Sequence, residues 1–343
     1  MLKDSFWERF DSRTLFYDVV SLSPTRFRLF APPLFNLASI LKERLAGLAF
    51  EKLAIGQFHS FDTIDIKVGA GGHQATCAFF EKEFGLTASE MDSTTFSRKR
   101  VLYTLSKNND PAWIKDWMHF HHVNHGSDAV LLCDNGSEQY DCEGLLDELR
   151  SVNGYNAIKV VLADFPYMPA LDSCRNPHAC LFVQSAMINL AATRGLRPAR
   201  SVLACDIDEL VLPHGGKSVF RQTEASILGT VAFNGRWTYP EDNQIVAHAS
   251  HYMVQPDSPV SRSKYCFRPD SYMGRGELDV HTIHGGLRNQ ILRQLSKISA
   301  FSYIHCHDIS TAWKWSRNSK SFDNLTKEQS IKQTLESAFP RPK

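Results

Sequence analysis

The chain has 343 residues, 43% of them hydrophobic and 22% charged, which is ordinary globular material long enough for one large domain plus an extension or for two domains. Its 38 Lys+Arg against 37 Asp+Glu leave a formal net charge of +1, so there is no field to hold a polyanion and nucleic-acid binding is excluded as the main activity. Eight cysteines without a Cys-x-x-Cys pair read as reduced thiols, and the lack of an apolar run of about 18 residues or of a signal-peptide core makes a cytoplasmic protein the expectation.

Residues 1–97 read as a mixed α/β extension of unassigned role. Within 24–50, Arg26, Arg28, Lys42 and Arg44 are set among Phe27, Leu29, Phe30, Leu34, Leu37 and Leu41, a basic amphipathic pattern split at Pro32-Pro33. The favoured reading is an ordinary helix packing its apolar stripe on the main domain; the other is a helix docked on a partner or on a membrane surface, the latter making the protein peripheral to a membrane. Ile64–Val68 alternates as a strand and ends at the glycines 69–72, whose spacing is not that of a phosphate loop.

From Arg98 the pattern becomes regular. A strand over 100–105 leads into the polar turn Ser106-Lys107-Asn108-Asn109-Asp110, and Asp110 with Pro111 opens a helix that stops near Gly126. Its histidines, His119, His121, His122 and His125, are expected to be packed or solvated, because neighbours along a helix cannot all face one metal. A strand over 129–133 ends in Asp134-Asn135-Gly136-Ser137; a helix over 142–150, a strand over 158–162 and a long helix from about residue 178 to 194 follow. This alternation predicts an α/β fold with a mostly parallel, Rossmann-like sheet flanked by helices, with ligands beyond the carboxyl ends of its strands.

The next strand, from Ser201, presents Asp206, Asp208 and Glu209 and turns apolar again at Leu210. Alternation would put Asp206 and Asp208 on one side, where two carboxylates repel unless a cation bridges them. Mg²⁺ or Mn²⁺ suits such ligands; capping of a turn or pairing with arginines is the competing reading. The strand-end rule sets Asn109, Asp110, Asp134, Asn135, Ser137, Asp206 and Asp208 on one rim. After Pro213 the pattern turns to antiparallel-looking strands. Asn234–Asp242 reads as an aromatic polar loop in which Trp237 and Tyr239 suit stacking on a sugar, Lys264 and Arg268 suit phosphate oxygens, and residues beyond 321 form a polar helical tail.

The order Lys107–Asp110, Asp134–Ser137, Asp206–Glu209, Lys264–Pro269 and His305 with Ser310 resembles the GT-A-type glycosyltransferases of the family-two-like and family-ninety-two-like groups over residues 98–317. Departures are Asn109-Asp110 where relatives carry Asn-Glu and His305-Cys306 where they carry His-Tyr. The resemblance implies a GT-A domain over 98–320 with a tail over 321–343. It further implies metal-dependent, inverting transfer of a sugar from a nucleoside-diphosphate sugar to a glycan or a lipid-linked or surface-polysaccharide acceptor. A non-catalytic carbohydrate- or nucleotide-binding relative is the alternative. Asp206 and Asp208 would hold Mn²⁺ or Mg²⁺, with His305 as third ligand, phosphate contact or structural residue. Asn109, Asp110, Asp134, Asn135 and Ser137 would line the nucleotide pocket, and Lys264 and Arg268 would face the diphosphate. Inversion needs a base near the acceptor hydroxyl. Glu209, Glu241, Asp242, Asp270 and Asp279 are candidates, with Glu241 or Asp242 favoured.

Overall fold

A computed structural model of the chain describes residues 11, 13–46, 50–68, 75–79, 82–167, 181–242, 246–257, 259–284, 291–292, 294–309 and 324–340. The glycine run 69–72, Cys174 and Cys180, the start of the helix expected from 178, and the segment from Ser310 to Arg317 lie outside these residues. The chain divides into two compact units, one made of 1–95 with 165–197 and the other of 96–164 with 198–343.

In the first unit, β1 (Asp18–Ser23), β2 (Arg26–Ala31), β3 (Phe50–Gln57), β4 (Asp62–Val68) and β7 (Ser89–Glu90) form a sheet ordered β3-β4-β2-β1-β7. A separate hairpin joins β5 (Ala75–Phe79) to β6 (Lys82–Leu86). The expected basic helix over 24–50 is not there. Arg26–Ala31 alternates with period two and pairs with β1 and β4, Arg28 is held by Asp65 at 2.6 Å, and only Leu37–Ala46 is helical (α1). The mistake came from reading a strand's alternating bulky residues as a helical stripe. Val19, Leu29, Leu34, Leu41, Ile64 and Ile66 form the core of this unit.

The second unit carries the regular part of the pattern. Its elements in order are β8 (Arg100–Ser106), α2 (Pro111–His125), β9 (Ala129–Asp134), α3 (Cys142–Leu149) and β10 (Ala157–Leu162). The chain then passes through α4 (Phe182–Ala191), which packs with the first unit on β2, and returns as β11 (Ser201–Ala204). Asp110 caps α2 by accepting from the Ala112 N–H at 2.8 Å, and Gly126 ends it in the left-handed region at φ 69°. Strands β10, β9, β8 and β11 are parallel neighbours, and β8, β9 and β11 are buried along almost their whole length, as a sheet covered on both faces requires.

Beyond β11 the expectation of a mostly parallel sheet fails. The later strands are β12 (Glu209–Leu212), β13 (Thr230–Pro240), β14 (His251–Val254), β15 (Ser261–Phe267), the short pair β16 (Glu277–Leu278) and β17 (Ile283–His284), β18 (Lys297–Cys306) and β19 (Thr326–Lys327), with α5 (Val219–Ala225) and α6 (Gln329–Ala338) among them. β15 is antiparallel to both β11 and β13, β12 is antiparallel to β18, and β18 runs parallel to β13, so the large sheet is mixed. The reversal comes at β15, which sits between β11 and β13 and runs against both. The polar loop expected over 234–242 is strand as far as Pro240.

Candidate functional site

The site is built where β11 ends. The strand stops at Ala204, Cys205–Asp208 turns with the Glu209 N–H donating to the Asp206 carbonyl at 3.0 Å, and the chain resumes as β12. Asp206 and Asp208 therefore do not share a face by strand alternation, as the sequence reading assumed; each carboxylate takes its own partner. Lys264 Nζ lies 3.0 Å from Asp206 Oδ2 and 3.0 Å from Glu209 Oε2, while His305 Nε2 lies 3.0 Å from Asp208 Oδ2. The Asp206 N–H also donates to Glu209 Oε2 at 2.9 Å. Lys264 reaches this point because β15 pairs with β11 in the register Ala204↔Tyr265. His305 reaches it because it stands directly opposite Glu209 on β12 and Trp237 on β13. Trp237 stacks on the His305 ring at 3.7 Å between centroids, so one face of its indole is used inside the protein.

Burial sets the electrostatics. Glu209 and Lys264 are 1% and 2% exposed, Asp208 is 7% exposed and Asp206 is half-buried. Burial raises the Glu209 carboxyl above the usual carboxylate range, with Lys264 pulling the other way. Burial likewise opposes charge on Lys264, but Asp206 and Glu209 outweigh it and hold the ammonium well above its usual pKa. Three carboxylates against one ammonium leave two negative charges in the turn, which a divalent cation would balance. One ligand atom each from Asp208, Glu209 and His305 lie within 4.8 Å of one another, a donor set of two hard oxygens and an imidazole nitrogen. These residues fit a divalent metal.

The other rim residues are tied to one another. Register sets Ser106 beside Asp134, so the ends of β8 and β9 are level, whereas Ala204 stands beside Tyr103, so β11 stops three residues, ~10 Å, short of that level. Asp134 accepts from the Ser137 N–H at 2.9 Å and from Ser137 Oγ at 2.5 Å, and Ser137 Oγ accepts from the Asn108 N–H at 2.7 Å. Asn109 donates to Ser106 Oγ at 2.8 Å, Asn135 donates to the Ala163 carbonyl at 2.5 Å, and Asp110 serves as the α2 cap. Asn108, at φ 54°, makes the left-handed step that lets the two loops interlock.

Several sequence candidates stand elsewhere. Arg268 lies at the far end of β11, ~13 Å along β15 from Lys264, and pairs with Asp270 at 3.3 Å. Glu241 is ~13 Å beyond the level of His305 on β13 and is held by Tyr252 and Lys327, with the exposed Asp242 following it. Asp279 pairs with His284 at 3.0 Å. Of the carboxylates considered as base, only Glu209 is in the cluster, and there it is enclosed by Lys264 and the turn. His248, which the sequence reading passed over, supports the turn from behind with Nε2 2.9 Å from the Ile207 carbonyl. A lone histidine in a polar loop carries no sequence signal for that role.

No family model matches the chain, and no curated protein matches it. Among solved structures the chain is similar to GalNAc-T7 with UDP, GalNAc and Mn²⁺ at 8% identity and TM-score 0.34, covering 76% of this chain and 50% of that one. It is also similar to the galactosyltransferase LgtC in complex with donor and acceptor sugar analogs at 11% identity and TM-score 0.33, covering 71% of this chain and 98% of that one. The chain thus spans about half the length of the GalNAc-T7 structure. Overlaps of this size say nothing about activity.

Proposed function

We propose that the chain is a metal-dependent glycosyltransferase of GT-A type, transferring a sugar from a nucleoside-diphosphate sugar to a glycan or lipid-linked acceptor. The observation that carries the reading is the acidic turn Asp206–Glu209 at the carboxyl end of a parallel strand, with Asp208, Glu209 and His305 converging within 4.8 Å. The order of motifs along the chain, from Lys107–Asp110 through His305, supports it. Mn²⁺ held there would act as a Lewis acid on the leaving diphosphate. Asp208 and His305 supply the ligand atoms that are not engaged with Lys264. Lys264 holds Asp206 and Glu209 in place, and Trp237 fixes the plane of the His305 ring. The rim of Asn108, Asn109, Asp134 and Ser137 is the wall on which the nucleoside would lie.

The test is transfer from a panel of nucleoside-diphosphate sugars with Mn²⁺, alongside donor-induced thermal stabilisation. Asp208→Asn is expected to lower turnover by about 10²-fold or more, the scale on which a lost charge-stabilising group acts, and to abolish the Mn²⁺-dependent stabilisation. A folded Asp208→Asn chain with full activity would overturn the proposal. Donor binding without any hydrolysis or transfer by the native chain would make it a binding protein instead.

A further inference from the structure

A cavity of about 470 Å³ lies on the face of the sheet away from Lys264. Strand alternation builds its floor: Thr230, Ala232 and Asn234 on β13, and Ser261, Ser263 and Tyr265 on β15, stand at every second position and line it. Val231, Phe233 and Cys266 point the other way, into the hydrophobic core, and Lys264 points that way to the acidic turn. His281, Thr282 and Gln294 contribute walls.

The chemistry of this lining is selective. It is made chiefly of hydroxyls and amides, it contains no aspartate or glutamate, and it contains two cations, Arg262 and Lys297. Both cations are exposed, and neither has a carboxylate partner among the described residues. Burial, reinforced by the field of Lys264, pushes the third basic group, His281, down to about 3, so it stays neutral. The volume falls in the range of small-molecule sites.

We propose that this cavity is a second ligand site that takes a monosaccharide-sized polyol bearing one anionic group. The hydroxyls and amides meet the polyol, and Arg262 with Lys297 meets the anion. Phosphate and carboxylate share that chemistry, and the probes separate them. Titration calorimetry on the full chain in EDTA, with glucose 6-phosphate, glucuronate, glucose and inorganic phosphate, is the experiment. At least one of the two charged sugars is expected to bind about tenfold or more tightly than glucose, and the stronger of them names the anion. The double variant Arg262→Ala/Lys297→Ala is expected to weaken that binding about tenfold or more with unchanged thermal unfolding, since both side chains are exposed. Asp208→Asn is expected to bind the same probe as the native chain does, which keeps this site apart from the acidic turn and from the fate of the glycosyltransferase reading. Four results would each overturn the inference: no binding of any probe, binding unchanged in the double variant, binding lost in Asp208→Asn, or inorganic phosphate binding as tightly as the sugars.

Discussion

Lys264 is an ammonium almost removed from water and held by two carboxylates at 3.0 Å each. Its deletion is more costly than that of any exposed cation in the chain, because Asp206 and Glu209 are then left facing one another without a counter-charge. Lys264→Met is expected to destabilise the protein by about 3–5 kcal/mol, the usual cost of breaking a buried pair from one side. Urea unfolding measures this, and adding Glu209→Gln to Lys264→Met should recover part of the loss. Arg268→Ala is the control: its pair with Asp270 is solvent-exposed, and a change within about 0.5 kcal/mol is expected. A Lys264→Met chain as stable as the native one would show that the carboxylates do not depend on it. The acids themselves were legible in the sequence, since three carboxylates in four residues stand out in an apolar run. Their geometry was not, because Cys205 and Ile207 give a four-residue turn the look of a strand. The role of Lys264 was hidden for another reason: its partner Asp206 is 58 residues away in the chain, and no local pattern reports such a pairing.

Helix α2 shows the opposite case, an element whose limits follow from its sequence. Asp110, Pro111 and Gly126 mark its ends, and the structure buries Trp117, Phe120, His121 and His125. The two histidines clamp the helix to β12 and α5. His121 Nδ1 faces the Trp117 carbonyl at 2.8 Å and its Nε2 accepts from the Val211 N–H at 3.3 Å; His125 Nε2 faces the Val211 carbonyl at 2.6 Å and its Nδ1 accepts from the Val219 N–H at 3.2 Å. Each ring has one donor and one acceptor in use, so each is neutral by its hydrogen bonds. Burial pushes their pKa values down to about 3 and about 4. The folded protein keeps them neutral, whereas the unfolded chain takes up protons below about pH 6.5. Their contribution is therefore complete above that pH and falls as the pH drops toward 4, by up to roughly 1.4 kcal/mol per pH unit for each ring. His125→Gln is expected to flatten the dependence of the urea midpoint on pH between about 6.5 and 4. Equal slopes for the two chains would remove His125 from this role.

At the scale of the molecule, alternating strands and helices were legible only where short-range periodicity dictates them, from β8 to β11. The mixed half of the sheet was not, because strand direction beyond β11 depends on which distant strands pair, and pairing leaves little trace in local composition. The same limit hid the path of the chain between β10 and β11. Residues 165–197 look like a crossover belonging to the parallel sheet, yet they pack with residues 1–95. Val183, Ala186, Met187 and Ile188 on α4 are buried there, and the Arg194 carbonyl accepts from the Asp92 N–H at 2.7 Å while its side chain pairs with Asp18 at 3.1 Å. The unit that carries the acidic turn is therefore continuous in space but interrupted in sequence by a helix whose apolar face needs the first unit. A chain shortened to 96–343 would keep every residue of the acidic turn and still expose that face. Such an uncovered apolar face drives self-association. The shortened chain is expected to elute as aggregate in size-exclusion chromatography, and replacing 165–197 with a flexible polar linker should return it to solution with Mn²⁺ binding intact. A soluble, monomeric 96–343 chain would mean that α4 is covered without the first unit.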